Sequence, residues 1–199
     1  MELESAQQFL KGKTTSVTGA TGFLAKVFME KLLRTQPGLK KLYLLLRASD
    51  SDAATQRLHH DITGKDLFTV LRDRMGADFD SFMSEKVEAI VGDVSLVNLG
   101  LNDGNIGRKI KEEIDFIVSS AATTRFDERF HVAMKINTMG ALHVLNFAQG
   151  CPNLQALLHV STAYVCGEAY NEKVIKEEPL KMGQTIKGNS KLDIESENK

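Results

Sequence analysis

Val17-Thr18-Gly19-Ala20-Thr21-Gly22-Phe23-Leu24-Ala25 reads as the end of a strand, a tight turn and the start of a helix. A side chain at the turn glycines would hold the backbone away from a pyrophosphate, and the N-terminus of the helix offers free N–H groups and a favourable dipole. Alone, such a G-x-x-G-x-x-A string also arises as a chance glycine-containing turn. Its weight comes from its place at the first strand-to-helix junction of the chain.

Outward from that turn, short apolar runs alternate with longer segments of helical period. The runs are Lys13 to Thr18, Leu42 to Arg47, Val87 to Gly92, Asp115 to Ser119 and Gln155 to Ser161. This alternation predicts an α/β, Rossmann-type doubly wound parallel sheet. The first run is poor by propensity, because Thr14, Thr15 and Ser16 leave Val17 as its only large apolar residue. A helix is expected from Phe23 to Arg34, with Leu24, Val27, Phe28 and Leu32 as its buried stripe and Lys26, Glu30 and Arg34 elsewhere. The long excursion Ala48 to Glu85 should hold at least one helix ending near Gly76, and a long helix is expected from about His131 to Gln149. Residues 1–170 form the expected nucleotide-binding domain. Asn171 to Lys199, rich in Lys, Glu, Asp and Asn, reads as a loose tail.

In such a sheet ligands lie at the carboxyl ends of the strands, so the strand ends are the places to look. The second run ends Leu44-Leu45-Leu46-Arg47, where a guanidinium fork suits the 2′-phosphate of NADPH; a solvated pair with Asp50 is the bland alternative. Gly92-Asp93-Val94 closes the third run, either to meet an adenine amino group or as a surface turn. Ser119-Ser120-Ala121-Ala122 ends the fourth with small residues that would let a cofactor lie close. Ser161-Thr162 supplies hydroxyls at the end of the fifth, suited to polarising a carbonyl or to capping the next segment.

With 199 residues, 42% hydrophobic and 26% charged, the composition is that of a globular protein. The 25 basic and 26 acidic residues are interspersed, so nucleic acid is not an expected partner. Cys151 and Cys166 form no CxxC pair and read as reduced structural thiols, and the five histidines are scattered, so no metal is expected. Met1 to Gly12 has neither the apolar core of a signal peptide nor the composition of a transit peptide, and no long uncharged apolar run exists. A cytosol-facing protein is expected, and peripheral membrane association is compatible with this reading.

The runs Val17 to Lys26, Lys41 to Ala48, Ala121 to Phe130, Asn137 to Phe147 and His159 to Glu168 resemble the amino-terminal part of the alcohol-forming fatty acyl-CoA reductases, particularly their plant branch. The resemblance implies an extended short-chain dehydrogenase that reduces a fatty acyl-CoA with NADPH, through an aldehyde, to a primary alcohol, in the cytoplasm or at the cytosolic face of the endoplasmic reticulum. Carried over by position, it implies that Gly19, Thr21, Gly22, Phe23 and Leu24 hold the pyrophosphate, Arg47 the 2′-phosphate, Asp93 and Val94 the adenine, and Ala121 and Ala122 the ribose on the nicotinamide side. Thr162 matches the catalytic Ser/Thr, and Asn137 a position where an amide supports the site from behind.

One element of that pattern is missing. The superfamily pairs a Tyr with a Lys four residues later, the Tyr protonating the oxyanion and the Lys lowering its pKa. Here Tyr43, Tyr164 and Tyr170 are followed at that spacing by Arg47, Glu168 and Val174. The chain is therefore expected to be truncated before the Tyr-x-x-x-Lys helix and inactive alone. The alternatives are a non-catalytic dinucleotide-binding remnant and, with a weaker match to the quoted strings, another extended dehydrogenase such as a nucleotide-sugar epimerase.

Overall fold

The structure is a computed structural model and describes residues 5–101 and 104–162. A short helix, α1 (Ala6–Leu10), precedes β1 (Thr14–Thr18), α2 (Phe23–Thr35) and β2 (Lys41–Leu46). The excursion after β2 holds α3 (Ser51–Arg57), continued by a π-turn over Leu58–Thr63, then α4 (Thr69–Met75) and α5 (Phe79–Lys86). Next come β3 (Val87–Val91), α6 (Gly104–Glu113) and β4 (Phe116–Ser119). The helix after β4 begins as α7 (Phe130–Ala133), widens to π register over Met134–Met139 and resumes as α8 (Gly140–Gln149), before β5 (Ala156–His159). The expected domain boundary at residue 170, the tail and Cys166 lie outside the described residues.

The strands make one parallel sheet in the order β3-β2-β1-β4-β5. The order runs outward from β1 in both directions, so the crossovers diverge between β1 and β4 and leave a crevice at their carboxyl ends. Alternate strand residues feed two cores. Val17, Leu42, Leu44 and Val118 pack with Ala25, Met29, Leu32 and Leu33 of α2 on one face. On the other, Tyr43 and Ile117 pack with Ile110 of α6 and with Val144 and Phe147 of α8. Both faces are covered, as a doubly wound sheet requires.

The buried face of α2 differs from the expected stripe. It is centred on Ala25, Met29, Leu32 and Leu33, while Leu24 is 54% exposed and Val27 and Phe28 are half-buried. Leu24 lies in the first turn, beside the open strand ends, where nothing packs over it. Glu30 is buried rather than solvated. Arg34, one turn on, receives it with Nε–Oε1 at 2.7 Å and Nη2–Oε2 at 3.3 Å, which pairs the carboxylate that burial would otherwise penalise.

Two residues outside the cleft have their chemistry tied up in the cores. The Tyr43 hydroxyl donates to the Glu113 carboxylate, and burial together with that carboxylate raises its pKa far above the ordinary tyrosine value. The Cys151 thiol donates to the Phe147 carbonyl at 3.3 Å, and burial pushes its pKa to about 11, which leaves an unreactive structural thiol.

β1 forms despite its composition because it is the central strand, paired to β2 from Thr14 to Thr18 and to β4 from Thr15 to Thr18. Asp115 fixes its start, accepting from Thr14 N at 2.8 Å through Oδ2 while its own N–H donates to the Thr14 carbonyl at 2.9 Å. The Thr14 and Thr15 hydroxyls are fully buried, and neither Oγ1 has a hydrogen-bond partner among the described residues. An unpaired buried hydroxyl costs roughly 1–3 kcal/mol. Thr15→Val keeps the shape and removes that cost, so it should raise the unfolding free energy by about 1 kcal/mol, seen as a higher urea midpoint at unchanged slope. A lower midpoint would show that Thr15 Oγ1 is satisfied in solution.

Candidate functional site

The carboxyl ends of β1 to β4 enclose a cleft of about 490 Å³. Its walls include Gly19, Thr21 and Gly22 after β1, Arg47 after β2, Asp93 and Val94 after β3, and Ala121 and Ala122 after β4. Eight of the residues singled out in the sequence thus come together from four separate turns.

The floor is made by a close approach of two turns. Thr18 Oγ1 accepts from the backbone N–H groups of Ser120 at 3.1 Å and Ala121 at 3.2 Å, tying the end of β1 to the end of β4. Gly19 follows with φ +69°, and a Cβ there would lie 2.7 Å from the Ala121 backbone. The fold itself demands glycine at that point. Gly22 is different: its φ is −71° and an added Cβ would meet only the Gly19 carbonyl, at 3.1 Å. Its own N–H donates to that carbonyl at 2.9 Å. Among the described residues nothing else fills the space over Gly22, so its lack of a side chain keeps the mouth of the cleft open at the start of α2. Open backbone at a helix N-terminus is a geometry that can admit an anionic group.

Arg47 is exposed at the end of β2, and its side chain makes no hydrogen bond or ion pair among the described residues. Pairing with Asp50 is not seen. Asp50 instead caps α3, accepting from Ala53 N at 2.8 Å and from the Ser49 hydroxyl at 2.8 Å, and these bonds lower its pKa. A second guanidinium lies in the same corner. Arg57, at the last turn of α3, donates to the Arg47 carbonyl at 2.6 Å and pairs with Asp61 at 3.0 Å while lining the cleft. Sequence reasoning passed over Arg57, because its place depends on α3 folding back across the end of β2, which no local pattern announces.

Asp93 does make a tight turn, its Oδ1 accepting from Ser95 N at 2.8 Å, yet it also borders the cleft, with no bond to Oδ2 among the described residues. The turn is braced by the loop beyond it. The Leu99 carbonyl accepts from Asp93 N at 2.9 Å, in a segment where Asn98 and Leu99 both take left-handed φ values, 53° and 59°. Left-handed non-glycine residues cost about 1–3 kcal/mol each and persist where their surroundings hold them.

On the β4 side, Asn137 clamps the backbone of Thr123, accepting from its N–H at 2.9 Å and donating to its carbonyl at 3.1 Å. The amide belongs to the π-register segment of the long helix and ties that helix to the loop after β4. Three selected residues do not line the cleft. Phe23 and Leu24 expose their side chains, at 78% and 54%, and only their backbone N–H groups, unpaired in the first turn of a helix, suit an anion. Thr162 lies beyond the end of β5, exposed and outside the cleft wall.

The family model for NAD-binding domains described as male sterility protein matches residues 17–199. Fatty acyl-CoA reductase 8 of Arabidopsis thaliana is 51% identical over 195 residues, which cover 97% of this chain and 39% of that protein. The alcohol-forming fatty acyl-CoA reductase of Simmondsia chinensis is 49% identical over 198 residues, covering 100% and 40%. The chain thus spans about two fifths of the length of these curated relatives. Among solved structures, the reductase domain of a nonribosomal peptide synthetase from Mycobacterium tuberculosis superposes with a TM-score of 0.60 at 29% identity, covering 77% of this chain and 34% of that one. The terminal R domain of the myxalamid pathway shares the fold, with a TM-score of 0.65 at 22% identity over 92% of this chain and 42% of its own. With the family model matched from the first strand onward, the chain belongs to the male sterility family of NAD-binding domains.

Proposed function

We propose that the chain is the cofactor-binding part of an NADPH-dependent fatty acyl-CoA reductase that forms primary alcohols through the aldehyde. The observation that carries this reading is the Arg47 guanidinium, unpaired among the described residues, in the same cleft as the open turn at Gly22. The substrate class rests on about half of all positions being identical to named fatty acyl-CoA reductases. Such a substrate is membrane-soluble through its acyl chain, so the reading carries a location in the cytoplasm or peripherally on the cytosolic face of the endoplasmic reticulum. No helix among the described residues is long and apolar enough to cross a membrane.

Bound NADPH supplies the hydride. The residues of the chain bind and orient it. Gly19, Thr21 and Gly22, with the amides of Phe23 and Leu24, would hold the pyrophosphate at the positive end of the α2 dipole. Arg47 would take the 2′-phosphate, its backbone fixed by Arg57. Asp93 Oδ2 would accept from the adenine amino group beside the Val94 side chain, and the small Ala121 and Ala122 would admit the ribose near the nicotinamide. The Thr162 hydroxyl would donate to the substrate carbonyl oxygen as negative charge grows there.

Arg47→Ala should weaken NADPH binding by about 1.5–3 kcal/mol, the range for hydrogen bonds to charged groups, and leave NADH nearly unchanged. Calorimetric titration with both cofactors checks this, and equal losses would remove Arg47 from the site. Gly22→Val should abolish NADPH binding in a folded chain, whereas Gly19→Ala should lower the melting temperature because its Cβ meets the Ala121 backbone. A Gly22→Val chain that keeps its affinity would make the open turn merely structural.

The 199 residues contain no Tyr-x-x-x-Lys pair, and general acid catalysis typically contributes about 10²–10⁴-fold. With NADPH and a long-chain acyl-CoA, this chain alone is therefore expected to form neither aldehyde nor alcohol by mass spectrometry. Sustained formation of either product would mean that another residue serves as the acid.

A further inference from the structure

The helix that follows β4 touches both walls of the cleft. Asn137 holds Thr123 on the β4 side, as described above. On the β3 side the same helix meets Val94 twice. At Gly140 a Cβ would approach Val94 Cγ2 to 3.2 Å, so the helix backbone lies directly against that side chain. One turn on, the buried His143 contacts the Val94 carbonyl through Nδ1 at 2.8 Å. A carbonyl only accepts, so Nδ1 carries the proton and donates.

This bond falls within the turn that follows β3. Asp93 N is tied to the Leu99 carbonyl, and Asp93 Oδ1 to Ser95 N. The Val94 carbonyl lies between those two anchors, in a residue that is itself buried and lines the cleft. Without His143, that buried acceptor would have to turn toward water, carrying with it the peptide that sets the direction of the Asp93 carboxylate and the Val94 side chain.

We propose that His143 is a positioning residue for the adenine end of the dinucleotide: it never touches the ligand, and its hydrogen bond to Val94 fixes the turn that does. This rests on the dinucleotide reading given above. One helix then sets both walls, Asn137 the nicotinamide side and His143 the adenine side.

The test uses calorimetric titration of the chain with NADPH and with adenosine 2′,5′-bisphosphate, which carries only the adenine end. His143→Leu should weaken both ligands by the same factor, about three- to tenfold, the value of one neutral hydrogen bond. His143→Asn places an amide N–H close to the position of Nδ1 and should restore both. A purely packing role for His143 would not be rescued by the smaller, polar Asn. Wild-type affinity in a folded His143→Leu chain, or failure of Asn to rescue, overturns the proposal. If His143→Leu does not fold, His143→Asn and His143→Gln decide, since Gln places its amide near Nε2 instead: Asn should bind as the wild type and Gln weakly, and equal affinities overturn it. If the wild type binds neither ligand, the dinucleotide reading itself fails, and this inference with it.

Discussion

The ends of β1 and β4 meet backbone to backbone, Gly19 lying beneath Ala121 with Thr18 Oγ1 accepting from both Ser120 and Ala121, and the geometry of the cleft depends on that contact. A bulkier residue at Gly19 would force the two turns apart. The strand order puts the topological switch at this junction, so spreading it would widen the floor on which a ligand must lie. The left-handed φ of Gly19 also sets the angle at which the chain enters α2, and hence the direction in which the first amides of that helix point.

Other parts of the cleft are held by groups beyond these two turns. Arg57 fixes the backbone of Arg47, Leu99 braces Asp93, and the helix after β4 reaches Thr123 and Val94. Several residues facing the cleft are therefore small or, like Arg47, unpaired among the described residues, while many of the hydrogen bonds that locate them are made behind the wall. Such a division suits a binding site: groups reserved for a ligand remain unsatisfied in the protein, and the rigidity comes from partners that no ligand displaces. The hydroxyls of β1 show the contrast within a single strand. Thr18 spends its oxygen on two amides, whereas Thr14 and Thr15 bury theirs without a partner among the described residues.

Much of the fold was legible because a parallel sheet writes itself as short apolar runs separated by helices. Four of the five strands lie within the runs read from the sequence, β2 begins one residue ahead of its run at Lys41, and the four turns that carry Gly19, Arg47, Asp93 and Ala121 converge as strand order requires. β1 formed where propensity was poorest, since two neighbouring strands outweigh the weakness of Thr14 to Ser16. What the sequence concealed was set by tertiary contacts. The buried face of α2 is rotated from the apolar stripe because Leu24 borders the open strand ends. Arg57 entered the cleft through the path of α3, and the π register at Met134–Met139, which carries Asn137 to Thr123, has no periodic signature. Asn98 and Leu99 gave no sign of a left-handed turn beyond the neighbouring Gly100.

The central claim is that the four strand-end turns form one dinucleotide site, and amide chemical-shift mapping by NMR tests it most directly. Addition of NADPH should perturb Gly19, Gly22, Arg47, Asp93 and Ala121 together, with a single binding constant, and leave the far ends of the strands unchanged. Perturbations confined to one turn, or centred on residues outside the cleft, would contradict the account.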